Sequence, residues 1–210
     1  MSDTVRQWLR DPEKWLQLLT LVGGLTAFGI GLHEYRQEQR WKRLEYFTQL
    51  LQSVEAEPEV RGALAMLEYN QPRVCAHDGE APRCFVATDS LLLAALDGAM
   101  RNRALSPDEH QVIYSLDRLL TTLDRLEYLQ AQGFVEEEVR HPTAAYWISL
   151  IGDRRNRAKP AAVRAKLCEY VRYFEYEGAL RLIARYTPPR DLIRECAVDG
   201  SRAHDGSNER

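Results

Sequence analysis

Residues 15–32 read WLQLLTLVGGLTAFGIGL, and this stretch decides how the chain is organised. It contains no charged residue, whereas acidic and basic residues flank it closely on both sides. At a rise of about 1.5 Å per residue, a helix of this length extends about 27 Å, enough for a thin bilayer core. Trp15 and Tyr35 lie near its ends, where aromatic rings favour the headgroup level. We therefore predict a transmembrane helix over residues 15–34, preceded by a polar segment at residues 1–14.

Two other interpretations of this apolar stretch stay open. A cleavable signal peptide needs a basic start, a shorter apolar stretch and a small-x-small cleavage site. Here the stretch follows a segment of mixed charge and precedes the bulky sequence HEYRQEQRW. A buried helix of a soluble core is the stronger rival, because four glycines, two threonines and Gln17 dilute the apolar character. Length favours the membrane span.

Gly23, Ala27 and Gly31 are spaced four residues apart, which places small side chains along one face of the predicted helix. Such a stripe lets two helices approach closely in lipid, where packing drives association. The same pattern also arises because glycine and alanine are common in membrane spans. We keep self-association as a hypothesis, with a second copy of the chain or another membrane-proximal protein as the expected partner.

The charges that flank the span are nearly balanced. The N-terminal side carries three basic residues, and the C-terminal side carries Arg36, Arg40, Lys42 and Arg43. The positive-inside rule slightly favours a single-pass protein of the inner or plasma membrane with a cytoplasmic C-terminal domain. Four cysteines are too few for a disulfide scaffold in 210 residues, and reduced thiols agree with that placement. A disulfide between Cys75 and Cys84 would argue against it.

Residues 35–196 are predicted to form an all-α bundle, because apolar residues recur at spacings of three and four. The segment after the span predicts a helix that continues to Pro58, and Ser106-Pro107-Asp108-Glu109 is typical of a helix start. The apolar positions of these two helices are Trp41, Leu44, Phe47, Leu51 and Val54, and Val112, Leu116, Leu119, Leu123 and Leu126.

Other boundaries follow from proline, glycine and polar composition. Short helices are expected over residues 59–69 and 135–140, and one long helix over residues 160–186. Residues 70–87 read as a long loop, and residues 197–210 as a disordered tail.

The acidic residues beside the leucine positions, Asp117, Asp124 and Glu127, have two interpretations. A solvated helix face accounts for them without further assumptions. Alternatively, they pair with arginines of the last long helix, namely Arg164, Arg172 or Arg181.

A basic loop, GDRRNRAKP at residues 152–160, holds Arg154, Arg155, Arg157 and Lys159. Beside a membrane these residues could contact anionic headgroups or a partner, each being worth about 1 kcal/mol near the surface. A solvated loop between helices is the ordinary alternative. The net charge of −3 and the lack of an aromatic platform argue against nucleic acid as a partner.

No pattern in the sequence predicts an enzyme, a cofactor or a metal site. Cys75, His77 and Cys84 offer three zinc ligands, but structural zinc needs four. Unpaired thiols or a local disulfide between the two cysteines are the alternatives. The five histidines are scattered over separate elements, and phosphate-binding or nucleophile motifs are missing from the sequence.

Four segments after the span carry a family resemblance: QRWKRLEYFTQLLQSVEAEPEVRGALAMLEY, YSLDRLLTTLDRLEYLQAQGFV, AYWISLIGD and YVRYFEYEGALRLI. In this order, over about half of the chain, they resemble a bacterial family known as domain of unknown function 4760. The loop that holds Cys75 and Cys84 does not match the family pattern. The resemblance implies a helical, membrane-attached protein with no known reaction, so it supplies no catalytic residue.

Three hypotheses of function follow. The favoured one is a membrane-tethered interaction module that acts as a scaffold, sensor or effector. The second is a subunit of an oligomeric pore or a membrane-disrupting effector, although a single span without charged residues argues against a conducting pore. The third is a hydrolase or nuclease whose site would bring together several of His77, His110 and His141 with nearby carboxylates.

Overall fold

The computed structural model describes residues 12–76, 83–133 and 142–197. Their fold is all-α, as predicted. The described α-helices are α1 (Pro12–Ala56), α2 (Pro58–Glu68), α3 (Asp89–Met100), α4 (Pro107–Ala131), α5 (Pro142–Gly152), α6 (Ala161–Tyr173) and α7 (Glu177–Tyr186). They are joined by a β-hairpin, β1 (Arg73–Ala76) and β2 (Arg83–Val86), and a 3-10 turn, Arg194–Cys196. The predicted helix over residues 135–140 and the tail beyond Ala197 lie outside the described residues.

Helix α1 is continuous from Pro12 to Ala56, and its first part is long and apolar enough to cross a membrane. The predicted polar segment at residues 1–14 therefore ends inside this helix, and its first eleven residues lie outside the described part. The chain forms two compact units, residues 1–46 and residues 47–210.

The second unit is organised around α4, which packs against α2, α3 and α7. The five predicted apolar positions of α4 are confirmed as core, each at most 1% exposed. In α1, Phe47, Leu51 and Val54 are buried as well. Trp41, the first of the five apolar positions of α1, is 65% exposed.

The predicted loop at residues 70–87 contains a two-stranded antiparallel hairpin. Val74 and Phe85 pair across it and belong to the core. Each strand has only four residues, too few to produce a recognisable alternation of apolar and polar positions.

The single helix predicted over residues 160–186 is divided in two. Helix α6 ends in a Schellman motif, in which Tyr176 N–H donates to Val171 O (3.0 Å) and Glu175 N–H to Arg172 O (3.1 Å). This motif needs a left-handed residue, and Glu175 has φ +59° where glycine is usual. A non-glycine residue there costs about 1 kcal/mol, so tertiary contacts impose the break.

The acidic residues of α4 are not a solvated face. Asp117 accepts hydrogen bonds from the hydroxyls of Tyr170 and Tyr176, and Asp124 accepts one from Ala179 N–H (2.6 Å) at the start of α7. Glu127 is 5% exposed and pairs with Arg181 (3.2 Å), one of the arginines expected in the alternative interpretation. These carboxylates therefore fasten α6 and α7 to the central helix.

The start of α4 is fixed by Ser106 and Glu109, which form a capping box. Glu109 also binds Arg103 through two hydrogen bonds (2.6 and 3.2 Å), and Arg103 Nη2 donates to Ala94 O (3.1 Å) on α3. The Arg103 guanidinium, with help from the Ser106 N–H and hydroxyl, lowers the pKa of Glu109 from its usual 4.5 to about 2.

We expect Glu109→Gln to remove one source of acid sensitivity. Because the pKa is lowered on folding, ionised Glu109 stabilises the protein fully above pH 4.5, and this contribution fades as the pH falls towards 2. Melting temperatures between pH 5 and 2 should therefore fall less steeply in Glu109→Gln than in wild type. Glu177→Gln, an exposed carboxylate, is the control and should keep the wild-type slope. Identical slopes for all three proteins would contradict the prediction.

Candidate functional site

The apolar part of α1 carries its side chains on the surface. Nine large apolar side chains between residues 15 and 32 are described, and each is 40–70% exposed: Trp15, Leu16, Leu19, Leu21, Val22, Leu25, Phe28, Ile30 and Leu32. A core helix of a soluble domain would bury such residues. Exposure of this extent suits a lipid environment.

The two threonine hydroxyls of this segment are bonded to the backbone of their own helix. Thr20 Oγ1 donates to Leu16 O and Thr26 Oγ1 to Val22 O, both at 2.8 Å. Each hydroxyl hydrogen is thereby satisfied within the helix, which lowers the cost of placing it in lipid. The presence of these two threonines is therefore a weaker argument against a membrane span than it is from the sequence alone.

Gly23, Ala27 and Gly31 share one face of α1, and a Cβ atom placed on either glycine would meet nothing within 4 Å. The face is accessible to another helix, and self-association through it remains a prediction.

All four cysteines form disulfides, Cys75–Cys84 and Cys168–Cys196. Cys75 and Cys84 are direct partners across the hairpin, whereas Cys168 and Cys196 are fully buried and join α6 to the 3-10 turn. The sequence analysis expected reduced thiols, whereas the structure has two disulfides. A zinc site would need the thiolates of Cys75 and Cys84, which are joined in a disulfide. Its third candidate ligand, His77, lies outside the described residues.

The basic loop folds back on itself between α5 and α6. Asp153 Oδ1 accepts from Arg155 N–H (2.8 Å), and Asn156 Oδ1 accepts from Ala158 N–H (3.0 Å), two local turns of the kind that Asp and Asn favour. Backbone pairing of Arg154 N–H with Asp191 O (2.8 Å) ties the loop to the C-terminal segment.

The four basic residues predicted as one patch have different environments. Arg155 is neutralised by Asp153 (3.1 Å) and Asp191 (3.3 Å). Lys159 is buried, and its Nζ contacts Asp89 Oδ1 at 2.8 Å. Arg154 and Arg157 are exposed, and neither side chain has an acidic partner within the described part of the chain.

Arg157 and Lys159 border a cavity of about 550 Å³, which is also lined by Asn70, Asp89 and Arg164. Three basic side chains and one carboxylate therefore give this cavity an excess of positive charge. The sequence grouped Arg157 and Lys159 in one basic loop, whereas it offered Arg164 only as an ion-pair partner for the acidic residues of α4.

Arg164 is 6% exposed, yet its guanidinium has no direct carboxylate partner in the described structure. Its Nη1 donates to Asp153 O (2.6 Å) and its Nη2 to Arg154 O (3.4 Å), while its buried Nε has no acceptor in the described structure. Burial lowers the pKa of Arg164, and the charge of Asp153 opposes that shift. Arginine nevertheless stays protonated in proteins.

The amino end of α6 also lines the cavity, through Pro160 and Ala161. No side chain caps this helix, and the N–H groups of Ala161 and Ala162 have no acceptor in the described structure. Free N–H groups at a helix start attract negative charge. The cavity thus combines buried and exposed cations with uncapped backbone donors.

The proposed histidine site cannot be assembled from the described residues. His110 is exposed on α4, whereas His77 and His141 lie outside the described ranges. No group of three or more potential metal ligands occurs within those ranges.

The chain matches none of the protein-family models, curated proteins or solved structures with which it was compared.

Proposed function

We propose that this chain is a single-pass membrane protein whose helical domain acts as a binding module rather than an enzyme. The observation that carries the proposal is the exposed apolar surface of α1 between residues 15 and 32. The internal hydrogen bonds of Thr20 and Thr26 add support, because they leave no hydroxyl donor unsatisfied in lipid.

A non-enzymatic role is supported by how the domain uses its acidic residues. The catalytic acids and bases of enzymes face a cavity where substrate can bind. Here Glu109, Asp117 and Glu127 are engaged with neighbouring helices or loops through ion pairs and hydrogen bonds.

We further propose that the domain lies on the oxidising side of the membrane. Disulfides persist in oxidising compartments and are rare in the cytoplasm. Two disulfides within the second unit favour this orientation over the cytoplasmic one expected from the flanking charges, which differ by a single basic residue.

The tether is tested with the double variant Leu21→Arg/Leu25→Arg in full-length protein. Two arginines at the centre of a span raise the free energy of insertion by about 5–7 kcal/mol, so we expect loss from the alkali-resistant membrane fraction. Leu21→Ile/Leu25→Ile is the matched control and should stay in the membrane. If wild-type protein is extracted by alkali without detergent, the tether is wrong.

Orientation is tested by trapping thiols in intact cells with N-ethylmaleimide before lysis. When the protein is then denatured without reductant, we expect no cysteine to carry the modification. In a parallel sample that is reduced before labelling, we expect all four cysteines to carry it. Modification of all four cysteines without reductant would place the domain in a reducing compartment.

A further inference from the structure

We infer that the cavity at the start of α6 is a binding site for a phosphate group. The inference uses only the second unit and does not depend on the membrane tether. It rests on the cavity, on the charge around it, and on donors that have no partner.

The charge balance favours an anion. Asp89 neutralises one of the three cations, Lys159, through a contact of 2.8 Å. Arg157 and Arg164 remain without a direct carboxylate partner in the described chain. A charge buried in a protein is costly unless an opposite charge or several hydrogen bonds compensate it.

Arg164 shows that this compensation is incomplete. It is held in place by two backbone carbonyls, but one buried donor, Nε, has no acceptor. Buried polar atoms normally have a partner, so the guanidinium of Arg164, a side chain that lines the cavity, keeps unused hydrogen-bonding capacity. The two carbonyls also fix the guanidinium in place before any ligand arrives.

The backbone supplies a second set of donors. Pro160 has the extended conformation (φ −55°, ψ 149°), and α6 begins directly after it without a capping side chain. Ala161 lines the same cavity as the arginines, and its N–H has no acceptor in the described part of the chain. Helix N–H groups together with arginine are the usual donors to phosphate oxygens.

Arg157 is the solvent-exposed basic residue of the cavity lining, and it is therefore the residue to substitute. We expect inorganic phosphate to bind full-length protein in phosphatidylcholine nanodiscs saturably, measured by calorimetry and by amide shifts of Ala161 and Ala162. Loss of one charge-assisted contact in Arg157→Ala should weaken binding at least about tenfold. Arg154→Ala, also exposed and on the same loop, is the matched control and should bind as wild type.

A backbone variant tests the helix start without changing a charge. Ala161→Pro removes one N–H, and proline is well tolerated at the first helical position after an extended residue. We expect phosphate binding about fivefold weaker than in wild type. Ala161→Ser, which keeps the N–H, should retain wild-type affinity. No saturable binding, or equal weakening by Arg154→Ala and Arg157→Ala, would overturn the inference.

The source of the phosphate is resolved by the lipid composition. Nanodiscs with phosphatidic acid present a phosphate monoester at the membrane surface. Discs of equal negative charge made with phosphatidylglycerol, a phosphodiester, match the surface potential. Weaker binding of soluble phosphate in the phosphatidic acid discs than in the phosphatidylglycerol discs would identify a lipid headgroup as the ligand, and equal binding in these two discs would identify a soluble phosphate compound.

Discussion

Replacement of Cys168 and Cys196 together by alanine is expected to lower the free energy of unfolding by about 3.6 kcal/mol, the loop-closure value for a separation of 28 residues. Both cysteines are fully buried, so the lost sulfur packing adds to this cost. In a domain of this size the change corresponds to a decrease of about 10 °C in melting temperature. Thermal unfolding of full-length protein in detergent, followed by circular dichroism without reductant, measures it.

The effect should start at the C-terminal segment. This disulfide joins α6 to the 3-10 turn, and Ile193 N–H donates to Gly152 O (3.0 Å) beside it. Once the disulfide is removed, the turn is held by hydrogen bonds and packing alone. Hydrogen exchange at Ile193 and Leu192 should therefore accelerate more than exchange in α4, in a protein that is otherwise folded.

The hairpin disulfide supplies the matched control. Cys75 and Cys84 are nine residues apart, and closing this shorter loop is worth about 2.7 kcal/mol. Cys75→Ala/Cys84→Ala should thus be more stable than Cys168→Ala/Cys196→Ala by about 1 kcal/mol. If wild type and Cys168→Ala/Cys196→Ala melt together without reductant, the disulfide does not stabilise the native protein.

Helical periodicity predicted the elements whose packing is set by local sequence. The buried leucines of α4 and the capping box at Ser106 are examples. Both patterns could be recognised because the residues that form them lie within a few turns of one helix. The break between α6 and α7 was missed because Glu175, not glycine or proline, occupies the left-handed position.

The candidate site could be predicted only in part. The sequence groups Arg154, Arg155, Arg157 and Lys159, but it does not show that Asp89, seventy residues earlier, neutralises one of them. Arg164 carries no local signal at all, since its role arises from the loop that turns back over it. Cysteine pairing is similarly undetermined, because four cysteines allow three connectivities.

Asp117→Ala is expected to lower the free energy of unfolding by about 2–4 kcal/mol, because it leaves two tyrosine hydroxyls that are shielded from water without an acceptor. Asp117 Oδ1 accepts from Tyr170 Oη (2.7 Å) and from Tyr176 Oη (2.9 Å), and Tyr170 is only 1% exposed. These bonds connect α4 with α6 and with the residue before α7. Denaturant unfolding of wild type and variant measures the loss.

A double-variant cycle separates the stranded donor from general damage. Tyr170→Phe removes the hydroxyl that Asp117→Ala leaves without a partner, so the double variant should lose less stability than the sum of the two single changes. Asp117→Asn keeps an acceptor oxygen and should cost less than Asp117→Ala. Strictly additive losses would show that the hydrogen bond to Tyr170 does not contribute.

The same contact predicts a dependence on alkaline pH. Burial, followed by the hydrogen bond to the negative Asp117, raises the pKa of Tyr170, and burial together with the Asp117 charge raises that of Tyr176. Because both pKa values rise on folding, their contribution to stability is complete below pH 10 and is lost as the pH rises above it. Burial raises the pKa of Tyr146 as well, to about 12, so absorbance titration should find three tyrosines that resist ionisation above pH 10 in wild type. In Asp117→Ala the resistance of Tyr170 and Tyr176 should decrease, since the negative neighbour is gone while part of the burial remains, and that of Tyr146 should not change. Loss of no resistant tyrosine in Asp117→Ala would contradict this account of the α4–α6 contact.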